Sequence, residues 1–306
     1  MPSTPSFGWI PDLPDFRDYS LSKFSAKSSQ SDLKDLSDDF RFSFKQEKEE
    51  ELPTNVDLRK FCTPVEQQGP IGSCTAHAGV SLIEYYENRN FGSYTPASRL
   101  FLYKVTRNYM HQVGDTGANP RSTMAAMVLF GTPPESHWPY DSGKFDEEPP
   151  AFCYSFAQNY KTLKFFRHDI PSSTTKKKDV LMSIKKSLAN GIPSMFGFTV
   201  YSSISNAASN KGNITFPSNR DRRLGGHAVA AFGYDDNKKI SHPFLKTQPP
   251  TKGAILIQNS WGEKWGDGGY GWLPYEYVLR GLAVDFWSII KKDWVNTDQF
   301  ENIIVN

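Results

Sequence analysis

A cysteine in the run Gln68-Gly69-Pro70-Ile71-Gly72-Ser73-Cys74 has the surroundings of a reactive thiol. The apolar spacing that follows predicts a helix over residues 73–89, with Cys74 at its N-terminus. Unpaired backbone N–H groups and the positive end of the helix dipole favour a thiolate there. The side chain of Gln68 can donate an N–H to an oxyanion, and the backbone N–H of Cys74 can be the second donor.

Two further strings supply partners for such a thiol. His227 follows Gly225-Gly226 and precedes a strand-like run, and Asn259 begins the run Asn-Ser-Trp-Gly 32 residues later. A histidine can take the proton of a thiol and return it to a leaving amine, while a neighbouring amide side chain fixes the ring. A thiol, a base, an orienting group and an oxyanion site are what thiol-dependent peptide hydrolysis needs.

Together these strings resemble the papain-like cysteine peptidases from about Leu52 to about Ile290. The resemblance implies that Cys74, His227, Asn259 and Gln68 are the catalytic residues. It also implies an α+β fold of two lobes, in which a helical lobe carries the cysteine and a β-barrel-like lobe carries the histidine and the asparagine. The active-site cleft then runs between the lobes.

The same resemblance suggests substrate-binding residues. Gly117 and Ala118 fall where the family hydrogen-bonds the substrate backbone, although a second glycine is usual at Ala118. Gly226 directly precedes the histidine, Trp261 would shield the histidine–asparagine hydrogen bond, and Trp265 would form a wall of the cleft. The pocket for the residue two before the scissile bond would have its floor in residues 282–286, without a residue that can be singled out.

The secondary structure pattern fits this order of lobes. Apolar periodicity and breaker residues predict further helices at 96–109, 120–130 and 178–190, and strands at 195–200, 228–234, 254–259, 270–273 and 283–289. Turn-forming residues place a surface insertion at about 236–252. We therefore expect a peptidase domain over 52–306, mainly helical over 52–190 and mainly β over 191–306.

Residues 1–51 differ from the rest of the chain. They carry 11 acidic and 7 basic residues, a net charge of −4, while the remainder carries +6. Trp9, Phe16 and Tyr19 are side chains that a protein usually buries. The segment therefore suggests a short prosegment that inhibits its own enzyme, although it lacks the long helical pattern of papain-type prodomains.

Composition and cysteine content limit the other possibilities. A net charge of +2 gives no reason to expect nucleic acid or membrane as a partner. Only Cys62, Cys74 and Cys153 occur, and the family's disulfide positions hold Ile71 and Asp115, which favours a reducing compartment. With no recognisable signal peptide, we expect an intracellular protein, with unconventional release still open.

The histidines and cysteines show no metal-ligand spacing, and no cofactor is expected. His77, one turn beyond Cys74, is interpreted as structural because its side chain would point along the helix and away from the thiol. We expect a monomeric cysteine endopeptidase acting on proteins or peptides. The alternatives are an exopeptidase, a catalytically silent binding scaffold, and an acyl transferase with a related thiol site.

Overall fold

The computed structural model describes residues 6–12, 15, 18, 52–169, 176–243 and 249–294, and the side chains of these except at 162–163 and 290–294. Phe16, Tyr19 and the charged run 45–51 lie outside the described residues. The helices are α1 Cys74–Phe91, α2 Arg99–Tyr109, α3 Pro120–Leu129, α4 Ala151–Ala157, α5 Lys177–Ala189, α6 Ile204–Ser209 and α7 Tyr275–Leu279. The strands are β1 Asn55–Asp57, β2 Tyr160–Arg167, β3 Ser194–Tyr201, β4 Arg223–Ile240, β5 Thr251–Gln258, β6 Tyr270–Pro274 and β7 Ala283–Trp294.

Helix α1 is the central helix. Its first seven residues are all buried, and apolar side chains from most of its sides join the main core. It ends at Gly92, whose left-handed backbone (φ 69°) closes the helix by donating its N–H to the carbonyl of Asn88. A helix that is apolar on most sides must be covered on most sides, and this one packs between α2, α3 and the sheet.

The other long helices begin and end where the sequence predicts. The Ser98 side chain caps α2 by accepting from the N–H of Phe101, and the Asn119 side chain caps α3 by accepting from the N–H of Ser122. Helix α5 is followed by Gly191, which adopts φ 75°. These caps satisfy backbone groups that would otherwise lack partners at the helix ends.

All strands belong to one antiparallel sheet of order β2-β7-β3-β4-β5-β6, with β1 added beside β4. On β4, His227 lies opposite Phe198 of β3, and β5 ends at Gln258, directly before Asn259. Neighbouring strands therefore deliver the histidine and the asparagine to the same region. A helical region that carries Cys74 and an antiparallel sheet that carries His227 form the predicted α+β arrangement.

Two features differ from the sequence-based expectation. The insertion placed at 236–252 is partly a β-ribbon, because β4 continues to Ile240 and pairs with Thr251 of β5. Strands β1 and β2 and helices α4, α6 and α7 were not predicted. They are short, or, in the case of β2, partly polar, so a single-sequence pattern gives them little signal. No described helix has the length and apolar character needed to cross a membrane.

Candidate active site

Cys74 is the first residue of α1 and is fully buried. Its Sγ accepts a hydrogen bond from the backbone N–H of Ala228 on β4, with an N–S distance of 3.4 Å. The preceding loop is held by Asp115, whose carboxylate accepts from the backbone N–H of Gly72 at 2.8 Å. The thiol is thus fixed between the helix N-terminus and the strand that carries His227.

His227 and Asn259 are joined by a hydrogen bond. The Nε2 of His227 lies 2.7 Å from the Oδ1 of Asn259, an oxygen that also accepts from the backbone N–H of Ser260. Because Oδ1 only accepts, Nε2 carries the proton, and the neutral tautomer leaves Nδ1 as an acceptor. Trp261 stacks on the imidazole at 4.6 Å between ring centroids, which shields this hydrogen bond. Among the described residues, Nδ1 has no hydrogen-bond partner.

The side-chain amide of Gln68 is oriented from both of its ends. Its Oε1 accepts from the hydroxyl of Ser260 at 2.6 Å, so the Nε2 group points the other way. Nε2 donates to the carbonyl of Ile71 at 2.9 Å and to the carbonyl of Ser6 at 3.2 Å. A carbonyl oxygen therefore already lies on the N–H donor that the sequence predicts for an oxyanion.

Residues 6–12 occupy the cleft as an extended segment, which we call the cleft segment. Gly8 accepts from the N–H of Ala118 at 2.8 Å, and Ile10 donates to the carbonyl of Ala118 at 2.9 Å. Trp9 donates its N–H to the carbonyl of Gly226 at 3.1 Å. These backbone hydrogen bonds are the kind that an extended peptide makes when it binds along a strand edge.

Side chains on both sides of the thiol anchor the cleft segment. Phe7 contacts the rings of His227 and Trp261 edge-on, with centroids about 6 Å apart. Trp9 is buried and packs with Cys74 and Ala228. The backbone N–H of Gly8, between them, lies near the sulfur of Cys74 and acts to lower the pKa of the thiol. The cleft segment therefore covers the sulfur.

Charged contacts continue the attachment beyond the cleft. Three carboxylates spaced three residues apart, those of Asp12, Asp15 and Asp18, lie within 2.7, 3.5 and 2.7 Å of the Arg121 guanidinium at the start of α3. The carboxylate of Asp18 also lies 3.6 Å from Arg167. Opposite charges on the segment and the body thus form specific pairs, as the net charges of −4 and +6 allow.

Burial under the cleft segment controls the charge of the two central groups. It raises the pKa of the Cys74 thiol to about 11, against the opposing effect of backbone N–H groups from Ala228, Gly8 and the helix itself. Burial also lowers the pKa of His227 to about 4, although the hydrogen bond that His227 donates to Asn259 opposes this. With the segment in place the pair is therefore neutral near pH 7. The thiolate expected from the helix N-terminus alone requires an open cleft.

The remaining predicted site residues lie around the cleft. Ala118 makes the backbone contacts described above, while Gly117 adopts φ 78° and is so close to Gly8 that a Cβ there would collide with its carbonyl. Gly226 touches Trp9, and Trp265 packs edge-on against Trp261 at 5.5 Å. His77 is buried, has its Nδ1 on the carbonyl of Ser73 at 3.1 Å, and makes no described contact with the thiol.

Sequence reasoning missed the charged residues at the far end of the cleft. Asp285 accepts from the indole N–H of Trp9, and Arg121 and Arg167 bind the acidic side chains of the segment. The regular spacing of Asp12, Asp15 and Asp18 was the one available signal for a shared cationic partner. Within the described residues, no group of three or more metal-binding side chains is present.

Comparisons with known proteins agree with this geometry. The family model for papain family cysteine proteases matches residues 52–278. An uncharacterized peptidase C1-like protein of Acanthamoeba polyphaga mimivirus is 35% identical over 243 residues, which cover 76% of this chain and 73% of that protein. Cathepsin K of Mus musculus is 26% identical over 72% of this chain and 60% of its own length, so the chain spans less than two thirds of that relative.

Among solved structures, xylellain, a cysteine protease from Xylella fastidiosa, matches with a TM-score of 0.68 and 33% sequence identity. The match covers 94% of this chain and 97% of that one. The two-lobe α+β fold and the thiol protease family predicted from the sequence are confirmed. This chain belongs to the papain family of cysteine proteases.

Proposed function

We propose that this protein is a cysteine endopeptidase made as a precursor, in which the cleft segment restrains the enzyme until it is displaced. The observation that carries the proposal is that a stretch of the chain's own backbone lies over Cys74, with the carbonyl of Ser6 on the Nε2 of Gln68. The segment takes the space and the hydrogen-bond donors that a peptide substrate needs. While the segment covers Cys74, the carbonyl carbon of a substrate cannot reach the sulfur.

In the open enzyme, the Cys74 sulfur attacks the carbonyl carbon of a peptide bond, and the oxyanion accepts from the Gln68 side chain and the Cys74 backbone N–H. His227 then gives a proton to the leaving amine, and a thioester acyl-enzyme forms. The same imidazole removes a proton from water, whose oxygen attacks the thioester and releases the acid and the thiol. Asn259 keeps the ring in the tautomer that these proton transfers need.

Endopeptidase action is favoured by the extent of the cleft segment. Phe7 binds beside Trp261 on one side of Cys74, and Trp9 and Ile10 bind beside Ala118 on the other. A cleft that holds an extended chain on both sides of the thiol can hold a substrate that continues in both directions. An exopeptidase would instead need a group that blocks one end in the active form.

The products of a long peptide test this function. We expect the Trp9→Ala chain, in which the segment is weakened, to cut an unstructured peptide at internal bonds, which mass spectrometry would identify. The Trp9→Ala/Cys74→Ala chain is the matched control and should leave the peptide intact. Removal of single or paired residues from one end would show an exopeptidase, and an intact peptide with both chains would show a silent scaffold.

A further inference from the structure

The pocket that holds the Trp9 indole lies directly beside the thiol. Trp9, Cys74 and Ala228 form one apolar cluster, with Val284 of β7 packed against it. The backbone around Trp9 binds Gly226 of β4 and Ala118 of the loop before α3, which line the cleft. A peptide side chain close to the scissile bond must therefore enter this pocket, which we call the indole pocket.

The shape of the indole pocket suits a wide flat ring. Gly197 on β3 faces the indole, and a Cβ built on it would overlap the five-membered and six-membered rings where they fuse. A Cβ on Gly226 would lie 2.5 Å from the Cε3 of the indole. The absence of side chains at these two positions creates the width, because neighbouring β-strands otherwise present side chains at this spacing.

A carboxylate ends the indole pocket. The Oδ2 of Asp285 accepts from the Nε1 of Trp9 at 3.2 Å and from the backbone N–H of Asp12 at 3.0 Å. Its Oδ1 is held by Arg167 at 2.7 Å. One oxygen is thus fixed against the body of the protein, and the other faces the pocket as an acceptor.

The backbone at Asp285 is held in a conformation that a side chain rarely adopts. Its φ is 61°, and the carboxylate of Asp169 accepts from the N–H groups of Asp285 and Phe286 at 2.8 and 3.0 Å. Left-handed backbone at a non-glycine residue costs free energy and persists where the surroundings impose it, often at binding sites. Here the strained backbone at the start of β7 aims the carboxylate into the pocket.

The local charge favours a neutral donor over a cation. When the segment leaves, the carboxylates of Asp169 and Asp285 remain paired with Arg167, and the guanidinium groups of Arg167 and Arg121 both contact the ring of Trp287. These two carboxylates and two guanidinium groups give this end of the pocket no net charge. A basic substrate side chain would therefore gain little attraction, whereas an N–H donor satisfies the free oxygen of Asp285.

We propose that Asp285 is a specificity-determining residue, and that the indole pocket selects a tryptophan side chain of the substrate. The inference rests on the proposed peptidase function and names its preferred substrate class. Phenylalanine fills most of the same volume but leaves the oxygen of Asp285 without a donor. A site built around a hydrogen bond discriminates against the analogue that lacks it.

The test compares kcat/KM for peptides that differ only in the residue two before the scissile bond: tryptophan, phenylalanine, leucine or arginine. The full chain is used at pH 7.5, because burial raises the pKa of Asp285 to about 6 and the carboxylate must be ionised. The fraction of open enzyme scales all four values equally, so their ratios do not depend on inhibition by the segment. We expect tryptophan to exceed phenylalanine by roughly tenfold, and to exceed arginine as well.

The decisive variant is Asp285→Asn. Because Arg167 needs an acceptor, the single oxygen of the asparagine side chain would face Arg167 and the NH₂ group would face the indole. The ratio of tryptophan to phenylalanine should fall close to one. Asp57→Asn is the matched control, because Asp57 also pairs with an arginine, at 2.7 Å from Arg59, but on the surface. Its ratio should equal that of the natural chain.

A second pair of variants keeps the inference testable if Asp285→Asn does not fold. Gly226→Ala should lower hydrolysis of the tryptophan peptide at least tenfold more than that of the leucine peptide, whereas Gly225→Ala places its Cβ against Phe7 and should keep their ratio. Hydrolysis without a preference for tryptophan, or with a preference for arginine, would overturn this inference and leave the proposed peptidase function standing. If no peptide is cut by any chain, including the same chains with Trp9→Ala to weaken the segment, the proposed function fails and the inference falls with it.

Discussion

At the residue scale, burial under the cleft segment keeps Cys74 and His227 neutral, whereas catalysis needs a thiolate and an imidazolium. Burial raises the thiol pKa to about 11 and lowers the imidazole pKa to about 4, so proton transfer from sulfur to nitrogen is unfavourable in the closed cleft. Readmission of water removes this penalty, and the helix N-terminus then favours the thiolate. In the proposed precursor, the segment therefore restrains the enzyme electrostatically as well as sterically.

This difference predicts how Cys74 reacts with iodoacetamide. In the full chain, alkylation of Cys74 should be slow at pH 6 and should accelerate as pH rises toward the raised thiol pKa of about 11, because the thiolate is the reactive form. In Trp9→Ala, labelling should be fast and nearly independent of pH between 6 and 8. Peptide mapping by mass spectrometry gives the rate at each cysteine. Equal rates and pH profiles in the two chains would contradict the masking of the thiol.

Gln68→Ala tests the oxyanion donor. Loss of one such donor usually lowers kcat by about 10²-fold with little change in KM. Gln67→Ala is the matched control, because the neighbouring side chain donates to the carbonyl of Trp261 at 3.3 Å and makes no contact with the cleft segment in the described structure. Both variants are measured in the Trp9→Ala background. A comparable loss in both, or none in Gln68→Ala, would remove Gln68 from the proposed role.

Four candidate catalytic residues could be predicted because the residue types next to them in the sequence indicate their chemistry. They are Cys74, His227, Asn259 and Gln68. Asp285 could not be chosen from its neighbours, since its function depends on a left-handed backbone and on contacts with Arg167 and Asp169, more than 115 residues away in sequence. The catalytic roles themselves stay predictions until the variants are measured.

At the element scale, Asp115 connects the loop before α1 to the loop before α3. It accepts from the N–H of Gly72 at 2.8 Å and from the hydroxyl of Tyr103 at 2.5 Å. The disulfide that the family resemblance implies would have one half at this position and the other at Ile71. The hydrogen bond from Gly72 therefore links the two loops at the place where the family's disulfide is missing, and Tyr103 of α2 holds the carboxylate in position.

Asp115→Ala should lower the free energy of unfolding by about 1 to 3 kcal/mol, because a buried backbone N–H and a hydroxyl lose their acceptor. Asp115→Asn retains one oxygen and should be less destabilising. Urea unfolding followed by tryptophan fluorescence provides the measurement. Unchanged stability in the alanine variant would show that water satisfies both donors and that the connection is dispensable.

The long elements were predictable because their own residues specify them. Helices α1, α2, α3 and α5 have apolar periodicity, and caps or breakers mark their ends. Strand β1 has three residues and exists through its pairing with β4, where Val56 lies opposite Tyr234. Strand β2 similarly depends on β7. Such elements are defined by distant partners, and a single sequence carries little local sign of them.

At the scale of the whole molecule, the cleft segment is attached by three kinds of contact. Backbone hydrogen bonds to Ala118 and Gly226 set its position, Phe7 and Trp9 supply apolar area, and Arg121 binds its acidic residues. Ion pairs near the surface contribute modestly and are screened by salt, so the aromatic side chains should supply most of the attachment. The predicted boundary at residue 52, the monomeric state and the intracellular location stay predictions.

Arg121→Ala should raise kcat/KM of the full chain by roughly threefold to tenfold, because three carboxylates lose their common partner. Added salt should raise the activity of the natural chain and have less effect on the variant. Arg59→Ala is the control, since Arg59 pairs with Asp57 and Asp267 on the surface and not with the segment. A loss of activity in Arg121→Ala, or an equal salt response in both chains, would contradict this contribution.

The most direct measurement is kcat/KM for one small peptide substrate with three full-length chains: the natural chain, Trp9→Ala and Trp9→Ala/Cys74→Ala. Truncation of a buried tryptophan costs about 3 kcal/mol or more, so the open fraction should rise strongly and Trp9→Ala should exceed the natural chain by at least about tenfold. The double variant should be inactive. Equal rates for the natural chain and Trp9→Ala would show that the segment does not restrain the enzyme, and activity in the double variant would show that Cys74 is not the nucleophile.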